Sequence, residues 1–350
     1  MSVENPVIVI ASPFETEFVA RMIEVAGVRA TVVHRLDLLP PATYPADHDG
    51  PDDFVRSAED QAQWLGVLAS ADVFFGSPRE KSTNLLEIAP DLKWLQGTSS
   101  GMGKYAERNG LIDTDVIVTT ASGVHGGALS EFVFAALLGQ SRNLGQLAEW
   151  QRAHHWQRFT ADELAGKTMT IIGPGRIGRQ IARVAKAFDM QVVAVGRTGG
   201  SERATELGVD RYLTTNQLTE ALAGADVLVI TSPHTGSTDH LIGEAEFAVM
   251  KRGATIVNIG RGAVVDEQVL IRQLRDGSIG FAALDVFEVE PLPVDSPLWD
   301  MPNVLISPHC SANAPKENER ILEIFLRNLP LFLDGRLDEM SPVLDKGQLY

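Results

Sequence analysis

Cysteine is almost absent from this 350-residue chain. Cys310 stands alone, which excludes an intramolecular disulfide. The start, M-S-V-E-N-P, lacks a basic n-region, so no secretory leader is expected. Long apolar runs are lacking too: the run at 132–138 falls far short of the roughly 20 residues that span a bilayer. Positive charge is in deficit, with 30 Lys and Arg against 46 Asp and Glu and a net charge of −16. That balance argues against the basic footprint of a nucleic-acid-binding protein. Lysine and arginine remain plentiful enough to rank halophilic adaptation low. No internal repeat is evident and no metal site is expected. The default is a cytoplasmic protein with small-molecule partners, neither nucleic acid nor membrane.

What is present is ordinary globular composition, 44% hydrophobic and 22% charged, over a length that suits two domains. Short β-rich apolar runs alternate with helical patterns, the signature of an α/β fold with parallel sheets. In the first third, strands are expected at 7–11, 30–34, 72–75, 93–96 and 116–119, with helices near 15–26 and 57–70. Residues 40–53 read as a long loop, and the acidic cluster at 47–60 as a solvated one. A second series of six strands is expected at 168–172, 191–195, 226–230, 255–258, 281–285 and 303–307. Helices fit at 176–188, 203–207, 216–223, 244–250 and 266–275. Six strands so spaced suit a doubly wound nucleotide-binding sheet. The segment 129–142 is apolar nearly all round and reads as a buried helix between domains or subunits. The tail 314–334 is again helical.

The first expected strand of that second series runs into Gly173-Pro-Gly-Arg-Ile-Gly178, which then opens a helix. In this context the motif is a dinucleotide-binding signature. Gly173 permits a tight turn, Gly175 lets the backbone approach a pyrophosphate, and Gly178 allows close helix–strand packing, with Arg176 and Ile177 at the helix start. An ordinary glycine turn is the competing reading. The next strand ends Gly196-Arg197-Thr198, where an NAD-preferring site usually has a carboxylate for the ribose hydroxyls. With none to repel it, a 2′-phosphate could meet the Arg197 guanidinium and the Thr198 hydroxyl. NADPH is therefore expected over NADH, with NADH the lesser cofactor. The bland reading of Arg197 is a solvated surface residue.

Three polar residues follow in strand-ending runs: Arg261 in Asn258-Ile-Gly-Arg-Gly262, Glu290 in Ala283-Leu-Asp-Val-Phe-Glu-Val-Glu-Pro291, and His309 in Ser307-Pro-His309. The planar fork of an arginine suits the carboxylate and carbonyl of a 2-oxo acid. A histidine gives a proton near neutral pH. A carboxylate bonded to that histidine would orient the ring and hold its proton until it is donated. Taken singly, each has a structural reading: a turn arginine, a turn glutamate, a satisfied histidine. Their conjunction downstream of a glycine loop points to hydride transfer.

These residues resemble the D-isomer-specific 2-hydroxyacid dehydrogenase family, over about 92–313. The resemblance is carried by Leu164-Ala-Gly-Lys-Thr-Met-Thr-Ile-Ile-Gly-Pro-Gly-Arg-Ile-Gly178, Asn258-Ile-Gly-Arg-Gly-Ala-Val-Val-Asp266, Ala283 to Pro293, Pro297-Leu-Trp299 and Ser307-Pro-His309. It implies two Rossmann-like domains, a flavodoxin-like substrate domain (1–119 and 314–350) and a doubly wound cofactor domain (120–313), with a cleft between them. It implies that Arg261 binds the substrate carboxylate and carbonyl, and that Glu290 and His309 form the acid/base pair. Asp285 would contact the nicotinamide carboxamide, though a structural strand-end carboxylate is the alternative. The segment Gln96-Gly-Thr-Ser-Ser-Gly-Met-Gly103 looks like the family's substrate loop, with backbone N–H groups of Ser100, Gly101 and Met102 on the carboxylate. A flexible glycine turn is the other reading. Thr231, Ser232 and Pro233 resemble a loop near the adenosine, and Ile259, Gly260 and His309 complete the expected cofactor contacts. A homodimer through the cofactor domain and the 129–142 helix is implied.

The activity so implied is reduction of a 2-oxo acid by NADPH to a D-2-hydroxy acid, of glyoxylate/hydroxypyruvate type or with a longer side chain. A corepressor-like or cofactor-sensing protein on the same fold is the alternative. Formate enzymes of the superfamily pair their histidine with glutamine, so Glu290 favours a hydroxy acid. The chain departs from the commonest family pattern at Pro174, at Asp189, where a glycine often ends the helix, and at Gly196-Arg197. Cys310 reads as a small packing residue or an oxidation-sensitive thiol. Side-chain specificity is expected in the 76–82 and 99–103 loops and in residues such as Trp299.

Overall fold

The computed structural model describes residues 5–80 and 84–349. The first four residues, on which part of the leader expectation rests, and residues 81 and 82 of the 76–82 loop lie outside the described residues. Among those described, twelve strands form two all-parallel sheets. The first contains β1 (Val7–Ile10), β2 (Thr31–Val33), β3 (Val73–Phe75), β4 (Trp94–Gln96) and β5 (Ile117–Thr119), in the order β2-β1-β3-β4-β5. The second contains β6 (Thr168–Ile172), β7 (Gln191–Gly196), β8 (Arg211–Thr214), β9 (Val227–Ile230), β10 (Ala254–Asn258), β11 (Ile279–Leu284) and β12 (Val304–Ile306), in the order β12-β11-β10-β9-β6-β7-β8. This is an α/β protein with two sheets of Rossmann-like construction.

The central strands are largely apolar because helices cover both faces of each sheet. In β9, Val227 and Val229 enter one core cluster while Leu228 and Ile230 enter the other. In β1, Ile8 and Ile10 face the cluster under helix Glu317–Leu333, while Val9 joins Trp64 and Leu68 of helix Ala58–Ala69 on the opposite side. Phe325 of the C-terminal helix stacks on Trp94 at 4.8 Å and meets Phe75 edge-on at 5.1 Å. Burying each such side chain contributes roughly 1.5–3 kcal/mol.

Helix ends follow local chemistry. The Ser57 hydroxyl accepts from Asp60 N–H at 3.1 Å and starts helix Ala58–Ala69. Asp266 does the same through Val269 N–H, at 2.9 Å, for helix Glu267–Arg275. Helix Arg176–Ala187 ends with Asp189 in the left-handed region at φ 55°. Half of the residues of helix Gly126–Ser141 are buried, among them Leu129, Val133, Phe134 and Leu137.

Four corrections apply to the sequence reading. The second sheet has seven strands, not six: the edge strand β8 is short and begins with Arg211, so it shows no apolar run. Helices Leu85–Ile88, Gly103–Arg108 and Leu144–Arg152 were not foreseen. Asp47 is not solvated but buried, and its carboxylate closes the loop by accepting from Thr43 N–H, Thr43 Oγ, Asp49 N–H and Gly50 N–H. The chain divides into two compact units between His125 and Gly126 and between Ala312 and Asn313. Residues 120 and 121 stay with the first unit because Thr120 N–H bonds Pro342 O and Ala121 N–H bonds Ser99 O, each at 3.0 Å. Among the described residues, no helix is long and apolar enough to cross a membrane.

Candidate active site

All strands of the second sheet point the same way, so the loops that follow them gather along one carboxyl edge. Arg261, Glu290 and His309 follow the neighbouring strands β10, β11 and β12. The Gly173 turn follows β6 and the Thr231–Pro233 loop follows β9. These strands are adjacent, and the order reverses beside them.

The glycine loop is shaped by close approach. Gly173 has φ 87°, and a Cβ there would lie 2.7 Å from Ser232 N. A Cβ on Gly178 would lie 2.8 Å from Gly173 O, so the helix can rest against the strand. Gly175 faces open space, which leaves its backbone free to meet a pyrophosphate. Thr231 locks the turn by donating its hydroxyl to Gly173 O at 2.5 Å. The Ser232 hydroxyl is buried without a partner, a polar group aimed at nothing within the chain. These features fit a dinucleotide.

The trio is built on two turns packed together. Asn258 closes the first, its amide donating to Arg261 O at 3.0 Å and its Oδ1 accepting from Gly260 N–H at 3.1 Å. The Arg261 guanidinium donates to Gly260 O at 2.6 Å. Burial pulls the Arg261 pKa down, and the nearby Glu290 charge opposes this. Gly262 must be glycine: a Cβ would overlap the backbone of Phe287. That contact sets the arginine turn against the turn bearing Glu290. There, Glu290 Oε1 accepts from Phe287 N–H at 3.0 Å, and a cis bond joins Glu290 to Pro291. Glu290 Oε2 lies 2.7 Å from His309 Nδ1. The Nδ1–H is therefore donated to the carboxylate, leaving Nε2 to give or take a proton.

His309 sits at φ 52°, in a loop that Asp285 organises. Asp285, 2% exposed, accepts from Ser307 Oγ at 2.6 Å, Cys310 N–H and Ser311 N–H at 3.0 Å, and Ser311 Oγ at 2.5 Å. Three of the four bonds fall on Oδ1 and one on Oδ2. The geometry thus gives Asp285 a structural task, that of holding the His309 loop. Cys310 is exposed, with Sγ 3.6 Å from Ser307 Oγ. Among the described residues, no cluster of three His, Cys, Asp or Glu could hold a metal.

A family model described as D-isomer specific 2-hydroxyacid dehydrogenase, NAD binding domain, matches residues 134–311. Glyoxylate reductase of Aeropyrum pernix is 37% identical over 63% of this chain and 68% of its own. Glyoxylate/hydroxypyruvate reductase B of Yersinia pestis is 34% identical over 80% of this chain and 86% of its own. The chain belongs to the D-isomer-specific 2-hydroxyacid dehydrogenase family. It is an oxidoreductase. Among solved structures, the NADPH-dependent glyoxylate/hydroxypyruvate reductase of Sinorhizobium meliloti in complex with NADP and sulfate superposes with a TM-score of 0.74. It is 25% identical, covering 99% of this chain and 100% of its own.

In this dehydrogenase the end of β7 carries a feature that sequence reading missed. The Tyr212 hydroxyl donates to Thr198 O at 2.6 Å and occupies the space a side chain on Gly196 would need. Arg203 lies over the Tyr212 ring at 5.2 Å and donates to Thr198 O at 3.2 Å. A second guanidinium thus stands at the turn that holds Arg197 and Thr198. Tyr212 lies on the unforeseen strand β8, so the constraint was invisible without it.

In the first unit, the Gly97–Met102 loop follows β4. The Met102 side chain is an apolar anchor, 3% exposed in the core. Gly101 N–H is already bonded to Ser99 Oγ at 3.0 Å. Of the three amides expected to meet a carboxylate, that of Gly101 is therefore turned to its own loop. The Ser100 hydroxyl lies 3.3 Å from both Ala121 O and His125 Nδ1.

Proposed function

We propose that the protein is an NADPH-dependent reductase of small 2-oxo acids, forming D-2-hydroxy acids. The observation that carries the reading is the 2.7 Å bond between Glu290 Oε2 and His309 Nδ1, beside the Arg261 turn. The names of the relatives from Aeropyrum pernix and Yersinia pestis support the substrate class, and the Sinorhizobium meliloti complex supports the cofactor.

In this reading the bound reduced dinucleotide supplies the hydride. Gly173, Gly175, Arg176, Ile177 and Gly178 take the pyrophosphate. Arg197, Thr198 and Arg203 take the 2′-phosphate, which needs cations and donors and suffers from carboxylates. Thr231, Ser232, Pro233, Ile259 and Gly260 line the dinucleotide. Arg261 grips the carboxylate and polarises the C2 carbonyl with its forked donors. Ser100 and Met102 are the loop positions left to meet the carboxylate. His309 passes the proton from Nε2 to the carbonyl oxygen while Glu290 fixes the tautomer. A cofactor sensor on the same fold would leave this arrangement without a task.

We also propose a cytoplasmic homodimer, since a dinucleotide-dependent reductase meets its cofactor in the cytoplasm. In the second unit Leu144 and Leu147 are 53% and 40% exposed, and Trp156 is 91% exposed. Exposed apolar side chains of this kind, two of them on helix Leu144–Arg152, are what a second copy would cover. The deciding experiment is a panel of glyoxylate, hydroxypyruvate, pyruvate and longer 2-oxo acids assayed with NADPH and NADH. Oxidation of NADPH by one or more is expected, and no turnover with any would overturn the reading.

A further inference from the structure

The first unit holds a buried carboxylate between two histidines, next to the Ser100 loop. Glu317 begins helix Glu317–Leu333 and is 5% exposed. His125 Nε2 lies 3.1 Å from Glu317 Oε1, and His48 Nε2 lies 3.8 Å from the same oxygen. The opposite edge of the His125 ring faces Ser100, with Nδ1 3.3 Å from Oγ. Glu317 Oε2 and both His48 ring nitrogens are buried without a hydrogen-bond partner. Arg320 reaches this region, donating to Val124 O at 3.4 Å. From the 43–50 loop, Tyr44, Asp47 and Asp49 add their charges and dipoles. Phe14 packs on the His48 ring at 6.5 Å.

Burying a carboxylate is costly unless it is paired, so this one calls for an explanation beyond helix capping. The hydrogen-bond order supplies it. His125 Nε2–H donates to Glu317, which turns Nδ1 toward Ser100. The Ser100 Oγ then lies within hydrogen-bond distance of both Nδ1 and Ala121 O, so the ring and the backbone hold the same hydroxyl. The rest of the loop is tied at its ends: Ser99 O accepts from Ala121 N–H, and the Met102 side chain sits in the core. Ser100 is the middle of the loop, and His125 is its side-chain hold.

We propose that His125, clamped by Glu317, is a positioning residue that fixes Ser100 and so presents the 99–102 loop to the substrate carboxylate. This rests on the reading of that loop as the substrate loop.

The test combines kinetics with hydrogen exchange on the full chain. His125→Ala should raise KM for glyoxylate about tenfold and leave kcat within about twofold, as expected for lost ground-state binding. NADPH affinity should not move. Ser100→Ala should do the same, and the double variant should be no worse than the worse single one, because the two share one interaction. His125→Gln, which keeps a donor for Glu317, should recover part of the loss. Amides in 97–103 should exchange faster in His125→Ala while those of β4 stay protected. Additive single effects, or unchanged KM and exchange, would overturn the proposal. If the wild-type protein reduces no 2-oxo acid, the functional reading fails instead, and the exchange experiment still decides whether His125 holds the loop.

Discussion

The Tyr212 hydroxyl stands where the first side-chain atom of residue 196 would be, and it bonds Thr198 O at 2.6 Å. A side chain at the end of β7 would have to displace the Tyr212 hydroxyl from that bond. In the proposed reading, cofactor choice would rest on this packing contact as well as on Arg197.

Gly196→Asp alone should therefore fail to create NADH preference. It should lower activity with both cofactors, because Tyr212 must give up its bond. Paired with Tyr212→Leu, the aspartate has room, and kcat/KM should shift toward NADH. Arg197→Ala should raise KM for NADPH by about 10- to 100-fold, the worth of one charge-assisted contact, with little change for NADH. Steady-state kinetics with both cofactors checks each expectation.

The Glu290–His309 pair predicts a split between chemistry and binding. His309→Ala should reduce kcat by roughly 10²- to 10⁴-fold, with NADPH affinity measured by fluorescence titration nearly unchanged. Glu290→Gln retains the turn through its Phe287 N–H contact but weakens the hold on the imidazole proton. Its loss in kcat should be smaller than that of His309→Ala.

Most of the strands, and the turns that carry Arg261, Glu290 and His309, were legible in the sequence for physical reasons. Strands such as β9 are buried on two faces and so read as unbroken apolar runs. Arg261, Glu290 and His309 lie in turns whose glycines and prolines are themselves constrained. What stayed hidden depends on distant partners. Strand β8 is an edge strand with polar ends. The bonds by which Asp285 holds residues 307–311 could not be read from its own segment. His125 and Glu317 are 192 residues apart, and no local pattern announces their bond.

Asp189 carries a stability prediction. It holds φ 55° directly after helix Arg176–Ala187, a conformation that favours glycine. Asp189→Gly should stabilise the protein by about 0.5–1 kcal/mol, seen as a higher midpoint in urea unfolding. A lower midpoint would show that the aspartate side chain has a role of its own.

Glu317 predicts an acid-sensitive element. Burial pushes its pKa up, but the bond from His125 and the nearness of both His125 and His48 outweigh this and bring it from 4.5 down to about 2. A carboxyl whose folded value lies below its unfolded one stabilises the fold above the unfolded value. That stabilisation drains away as pH falls from about 4.5 toward 2. The difference corresponds to roughly 3 kcal/mol. Denaturant midpoints measured between pH 7 and pH 3 should fall more steeply for the wild-type protein than for Glu317→Gln, which should start lower and vary less.

The overlap that would follow any side chain at Gly262 has a lasting consequence. It makes the arginine turn and the glutamate turn one casting, so that neither can drift without the other. Descendants of this chain can vary only by rewriting parts that the casting does not touch. The turns of Arg261 and Glu290 are inherited as a unit or lost as a unit.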